Sequence, residues 1–240
     1  MIRRPPRSTL DRSSAASDVY KRQGKRVMPL TKSTPKPLLK ISDLHLLNYS
    51  IKFLKEIGVK NIAINTHYLA NQISDYVNKF DNKIKIFYEE KILDTGGALV
   101  NAKTFFKDEH FIVVNSDTIW QKKYVTSFNI MKKKYFDTKA EGALLLTTNE
   151  LSFDKRLPCD FGLGEKDLLL NNPKNYIFTG CQILNKKVLE NKSKSFFSVR
   201  EIWSDLIVKH KIIGQKHDDS FLHVTDFEIY NKLLKQKITY

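Results

Sequence analysis

Apolar positions along the chain alternate between two rhythms. Leu44, Leu47, Ile51 and Leu54 recur at spacings of three and four, which predicts a helix capped by Ser42 that runs to about Ile57 and stops at Gly58. Leu69, Ile73, Tyr76 and Val77 mark a second helix over residues 69–79. Short strand-like runs follow each helix, at 61–65 and at 84–88. Asp94 to Leu99 opens a helix to about Phe105. Residues 111–115 are apolar and β-branched, the composition of a strand buried on both faces of a parallel sheet. A helix over 123–135 and a strand over 143–147 continue the pattern. Beyond Asn149 the order predicts a long strand at 176–184, a helix at 199–210 and a short strand near Ile212. A last strand is expected at 220–224, with Asp226 as the cap of a closing helix. This alternation predicts an α/β fold: an open, doubly wound, mixed but mostly parallel sheet with helices on both faces. No internal repeat, low-complexity tract or long linker interrupts it.

Composition narrows the function classes. A chain of 240 residues with 41% hydrophobic residues has enough for a core. No apolar run approaches the roughly 18 residues of a membrane span. The net charge is +15, yet the lysines are scattered, as at Lys132–Lys134 and Lys186–Lys187, with no basic stripe interleaved with aromatics. Neither nucleic acid nor a membrane is therefore expected as a partner. Two cysteines, Cys159 and Cys181, make no disulfide framework, which fits a reducing cytoplasm.

One stretch carries the candidate chemistry. Residues 24–39 read GKRVMPLTKSTPKPLL and hold four cations, three prolines and three hydroxyls. Arg26 and Lys36 offer fixed positive charge suited to phosphate oxygens. Pro35 and Pro37 restrict the backbone on both sides of Lys36, which is expected in a stiff, extended segment. On composition alone the stretch reads equally as a basic surface loop.

The order Gly24, Arg26, Pro29-Leu30-Thr31, Pro35-Lys36-Pro37-Leu38 resembles the signature of the sugar-1-phosphate nucleotidyltransferases, or nucleotide-sugar pyrophosphorylases, and the resemblance runs on to about Leu233. It implies a Rossmann-like, GT-A-type sheet in a single domain over 24–240. Residues 24–148 would form a nucleotide-binding half and 149–240 a sugar-binding half. The family's first strand and the start of its Gly-rich turn precede Gly24. Here residues 1–23 carry six Arg or Lys against two Asp and no apolar h-region. They read as a non-native prefix, so the first strand is expected to be missing and the chain impaired.

The activity implied is transfer of a nucleoside monophosphate from a triphosphate to a sugar 1-phosphate, releasing pyrophosphate, with Mg²⁺ as cofactor. By carry-over, Arg26 and Lys36 are the catalytic cations. Gly24, Asn65, His67, Thr95, Gly96 and Gly97 would bind nucleotide, the bare Gly96-Gly97 turn letting a flat base approach. Asp160, Thr179 and Gly180 would line the sugar. Asp117 would be the metal ligand, joined by His223 or Asp226. Each has a plainer reading: Asp117 as a helix cap, Gly96-Gly97 as a turn, His67 as a structural histidine, Asp160 as a surface carboxylate. The pattern is nearest to bacterial members that act on N-acetylmuramate 1-phosphate with UTP. Guanylyl transfer to mannose 1-phosphate and thymidylyl or uridylyl transfer to glucose 1-phosphate stay open. So does a non-catalytic nucleotide-sugar-binding regulatory subunit.

Overall fold

The sheet grows outward from β6 (Gly142–Thr147), a strand whose six residues are all buried. A computed structural model describes residues 25–193 and 195–240. On one side of β6 lies β10 (Ile212–Lys216), parallel; on the other lies β9 (Ile177–Asn185), antiparallel. The far edge of β9 pairs antiparallel with β5 (His110–Val114), giving the order β10-β6-β9-β5. A separate parallel pair joins β3 (Ala63–Thr66) to β4 (Lys85–Tyr88). The described strands are thus parallel at these two places and reversed on both sides of β9. The chain leaves β6 and re-enters at β9 without a crossover helix, passing only the small ribbon of β7 (Gly162–Leu163) and β8 (Leu169–Leu170), so the return is antiparallel.

Alternation along β6 divides the interior. Ala143 and Leu145 point into one cluster with α1 (Leu46–Glu56), α4 (Tyr124–Asp137) and α6 (Phe227–Leu234). Leu144 and Leu146 point into another with α3 (Asp94–Asn101) and α5 (Val199–Val208). Helices therefore cover both faces, as expected. Around α1, Leu47 and Ile51 meet Ile73 and Val77 of α2 (Ala70–Phe80) in a third cluster. The first cluster runs from Val27 and Leu39 to Leu233 and Ile238, so residues 24–148 and 149–240 share one core. At its centre Trp120 stacks on Phe53 with ring centroids 5.0 Å apart, and its indole N–H donates to the Asn115 carbonyl at 2.8 Å.

Two expected elements change. Ser42 does not cap α1. It takes a left-handed φ of 52° in the turn between β1 (Lys40–Ile41) and β2 (Leu44–His45). That hairpin buries Ile41 completely and delays the helix to Leu46. The helix ends at Glu56, and Gly58 just beyond it takes a φ of 88° that suits glycine. Residues 220–224 are not a strand. Their backbone bonds alternate between two loops: Phe221 with Leu151 and Phe153, then Ile119 N–H to Leu222 and Val224 N–H to Asp117. Only isolated bridges form, at Ser152–Phe221 and Thr118–His223. Between β3 and β5 lies a cavity of about 990 Å³, roofed by Leu47, Ile51 and Leu54 of α1. No described strand pairs with the facing edges of β3 and β5. The expectations for residues 1–23, the lost first strand among them, lie outside the described residues.

His217 is a buried titratable group away from the cavity. It is 1% exposed, stacks on Tyr124 at 3.9 Å, and its Nδ1 bonds Ser127 Oγ at 2.9 Å. Burial pushes its pKa down to about 4. The unfolded chain takes up this proton below about pH 6.5, whereas the native state resists until about 4. Stability held above pH 6.5 is therefore lost as pH falls through that window, by about 3 kcal/mol. In urea titrations at pH 7 and pH 4.5, the parent should lose more stability than His217→Asn. Equal losses would refute the assignment.

Candidate active site

The basic loop reaches the cavity through a short turn. Pro35 is extended, and Lys36–Leu38 form a 3-10 turn closed by Leu38 N–H to the Pro35 carbonyl at 2.8 Å. Lys36 thus opens a turn rather than standing in extended chain, because Leu38 and Leu39 fold back toward α1. Its ammonium meets Asp117 Oδ2 at 2.7 Å. Tyr68 fastens the same loop by donating to the carbonyls of Thr31 and Lys32.

Asp117 stands three residues past the end of β5. The Thr118–His223 bridge lays residues 117–119 beside 222–224 and sets His223 Nε2 3.2 Å from Asp117 Oδ1. The carboxylate is about a quarter exposed. Burial alone would raise its pKa, but Lys36 and His223 beside it hold it far below the usual carboxylate range. Arg26, Asn65, His67, Thr95, Asp160, Thr179 and Thr225 line the same cavity.

Around this centre the expected residues sort by what they touch. Asn65 donates to Glu89 Oε1 at 3.1 Å and to the Ala98 carbonyl at 3.3 Å. His67 Nδ1 lies 2.7 Å from the Glu89 carbonyl, and Glu89 Oε2 accepts from Leu93 N–H. Asp160 accepts from Arg200 at 2.7 Å and from Phe178 N–H at 3.0 Å. Gly24 lies outside the described residues.

Four expectations are corrected. Gly96 and Gly97 are not an open turn: they sit in α3, and a Cβ at either would meet the Phe197 ring or the Ser195 carbonyl within 2.2 Å. Their bare faces admit residues 195–197, whose Phe197 carbonyl accepts from Gly96 N–H. Thr95 is turned the same way, its hydroxyl accepting from Val199 N–H at 2.8 Å. Thr179 is buried and donates to the Leu145 carbonyl, and Gly180, with φ of 98°, makes room for the Asn115 side chain. Asp226 is no companion of Asp117, because it caps α6 through Ile229 N–H and pairs with Arg156 at 2.7 Å.

Some residues escaped sequence reading. Glu89, 5% exposed, organises Asn65 and His67, and its only signal is a carboxylate just after a strand. Arg200, the second residue of α5, brings a further cation to the cavity. Thr225, Asp154 and Arg156 form a chain behind His223. Thr225 Oγ1 lies 3.4 Å from His223 Nδ1 and beside Asp154, which Arg156 clasps at 2.7 and 3.0 Å. A lone His-Val-Thr-Asp run gives no hint of that chain.

The cations Arg26, Lys36 and Arg200, the carboxylates of Asp117 and Asp160 and the imidazoles of His67 and His223 thus line one cavity. Such a surface suits a ligand with several phosphates, since it neutralises charge where phosphate groups repel each other.

Comparison with known proteins bears on this geometry. The family described as "Nucleotidyl transferase" matches residues 23–153, more than half of the chain. An N-acetylmuramate alpha-1-phosphate uridylyltransferase of Caulobacter vibrioides is 23% identical over 215 residues, covering 85% of this chain and 88% of that protein. The bifunctional protein GlmU of Methanocaldococcus jannaschii is 30% identical over 207 residues, 81% of this chain, and the chain spans about half (47%) of its length. Among solved structures, HddC from Yersinia pseudotuberculosis complexed with GMP-PN aligns with a TM-score of 0.68 at 22% identity, over 88% of this chain and 93% of that one.

The glycine packing is open to test. A methyl at residue 97 pushes on a backbone carbonyl instead of a flexible side chain. Gly97→Ala should cost about 1–3 kcal/mol of stability in urea titration. A variant as stable as the parent would place residues 195–197 elsewhere.

Proposed function

Because the chain belongs to the nucleotidyl transferase family, we propose that it is an enzyme joining the nucleoside monophosphate of a triphosphate to a sugar 1-phosphate. One observation carries this most directly: Lys36 and Asp117 are 2.7 Å apart at a cavity that Arg26, His67 and Asp160 also line. A sugar-phosphate oxygen attacks the α-phosphorus. The bond from that phosphorus to the bridging oxygen of pyrophosphate breaks, and pyrophosphate carries the electron pair away. No covalent nucleophile is needed from the protein. Lys36 sits at the α-phosphate region and Arg26 at the leaving β,γ-phosphates, where each offsets charge that grows in the transition state. Asn65 and His67 stand on the nucleotide side, held by Glu89. Asp160 with Arg200 stands on the sugar-phosphate side.

UTP and N-acetylmuramate 1-phosphate are the first pair to test, since the relative from Caulobacter vibrioides bears that activity's name. The family resemblance implies Mg²⁺, and Asp117 is the oxygen donor that fits a divalent cation among phosphates. Such a cation, when bound, offsets phosphate charge. Among the described residues no group of three or more His, Cys, Asp or Glu side chains could hold a metal ion, so Asp117 would hold such a cation with few protein ligands beside it. Among the described residues no helix is long and apolar enough to cross a membrane.

Purified protein offered a panel of triphosphates and sugar 1-phosphates should release pyrophosphate with at least one pair. Lys36→Ala should lower kcat/KM by about 100-fold or more. No release across the panel, or a Lys36→Ala variant as active as the parent, sinks the proposal. Nucleotide binding by calorimetry without turnover would instead mark a regulatory subunit.

A further inference from the structure

Glu89 is 5% exposed, and among the described residues no Lys or Arg pairs with it. An interior carboxylate without a cation is costly unless N–H groups meet it. Here one oxygen accepts from Asn65 Nδ2–H and the other from Leu93 N–H, each at 3.1 Å. The remaining amide hydrogen of Asn65 goes to the Ala98 carbonyl at 3.3 Å. Carboxylate and carbonyl oxygens only accept, so the Asn65 amide cannot be turned round, and Oδ1 is the one group it has left. The same logic fixes His67. Its Nδ1 lies 2.7 Å from the Glu89 carbonyl, so the hydrogen sits on Nδ1 and Nε2 of the neutral ring keeps a lone pair. Asn65 and His67 both line the cavity, and they offer it acceptors without a donor. Tyr68 and Thr95, which line it too, add none. The Tyr68 hydroxyl donates to the Thr31 and Lys32 carbonyls, and the Thr95 hydroxyl donates to Asp94 Oδ1 at 3.2 Å.

The geometry points to a wall that reads hydrogen-bond donors, with Glu89 as the positioning residue that sets its polarity. The wall takes the part of a nucleoside that carries N–H or O–H groups: an imino or amino edge of the base, or the ribose hydroxyls. An edge made of acceptors alone meets oxygen and nitrogen lone pairs and is refused. A glutamine at 89 has one oxygen, which Leu93 N–H claims, so its amide nitrogen faces the Asn65 amide nitrogen. Two donors then oppose each other, and the Asn65 amide turns its own N–H toward the cavity. That a nucleotide arrives at this wall rests on the nucleotidyl-transfer reading of the cleft; the polarity of the wall does not.

The test first reads the nucleotide-free full chain by nitrogen NMR at about pH 8.5, above the ordinary histidine range. His67 should carry hydrogen on Nδ1 and none on Nε2. The Asn65 amide hydrogens should exchange slowly in the parent and faster in Glu89→Gln. Hydrogen on Nε2, or parent Asn65 hydrogens that exchange like those of an unbonded amide, would overturn the inference. Calorimetry then compares each common ribonucleoside triphosphate with its 2′-deoxy and 3′-deoxy forms, UTP with N3-methyl-UTP, and GTP with ITP. For the triphosphate that binds most tightly, removal of a donor should weaken binding about tenfold or more in the parent. In Glu89→Gln and in Asn65→Leu the same removal should cost about threefold or less. A loss confined to the deoxy forms assigns the wall to ribose, and a loss with N3-methyl-UTP or ITP assigns it to the base. No loss in the parent, an equal loss in both variants, or no triphosphate bound overturns the inference. The parent's spectrum and its donor dependence decide the matter where a variant fails to fold. Pyrophosphate release is read separately. Donor-dependent binding without turnover sinks the reaction and keeps the wall, and turnover without donor dependence does the reverse.

Discussion

Two backbone hydrogen bonds hold the cleft in its present form: Ile119 N–H to the Leu222 carbonyl and Val224 N–H to the Asp117 carbonyl, each 2.9 Å. They join a loop after β5 to a segment more than a hundred positions later. Without them Asp117 and His223 would lie on separate stretches of surface. The same crossing brings Trp120 under the loop, where its stack on Phe53 and its bond to Asn115 fix the loop's base in the core. The chemistry at the top is therefore set by packing below it, on rigid elements, as a preorganised site requires.

Charge arrangement follows from that crossing. Asp117 sits between an ammonium and an imidazole, one on each oxygen, and stays ionised despite its partial burial. The paired ammonium of Lys36 is held in place with its side chain 15% exposed. The Lys36–Leu38 turn and the Asp117 pairing already aim the Lys36 side chain, so little rotamer entropy remains in it to be lost. On the opposite wall Glu89 does the equivalent for Asn65 and His67, from a position that is almost wholly buried.

Periodicity made the strand and helix order legible, since β6 is mostly apolar, β9 is rich in apolar residues, and α1 and α2 repeat at helical spacing. The direction of β9 was not legible, because direction depends on where the chain turns back and not on the strand's own residues. The basic loop and Asp117 could be picked out by residue type and order. The glycines could not be read correctly: bare backbone accommodates a ligand or another piece of protein equally, and only coordinates show Phe197, Ser195 and Asn115 filling the space. Thr179 failed for a similar reason, its hydroxyl having found the Leu145 carbonyl inside the sheet. Residues 220–224 include Phe, Leu and Val in a short run that reads as a strand, yet their partners are two different loops. Thr225 stands far along the chain from Asp154 and Arg156, and nothing local announces that they meet behind His223.

Arg156 links places that look unrelated on a linear map. Its guanidinium grips Asp154 behind the histidine and also Asp226 and Glu228, where α6 begins. The cap of the closing helix and the orientation of an imidazole in the cleft thus share a single fork. Effects of substitutions at these positions will not add, because each alters the partner set available to the others. A library that varies either the carboxyl-terminal helix or the cavity wall alone will therefore sample only part of the viable combinations.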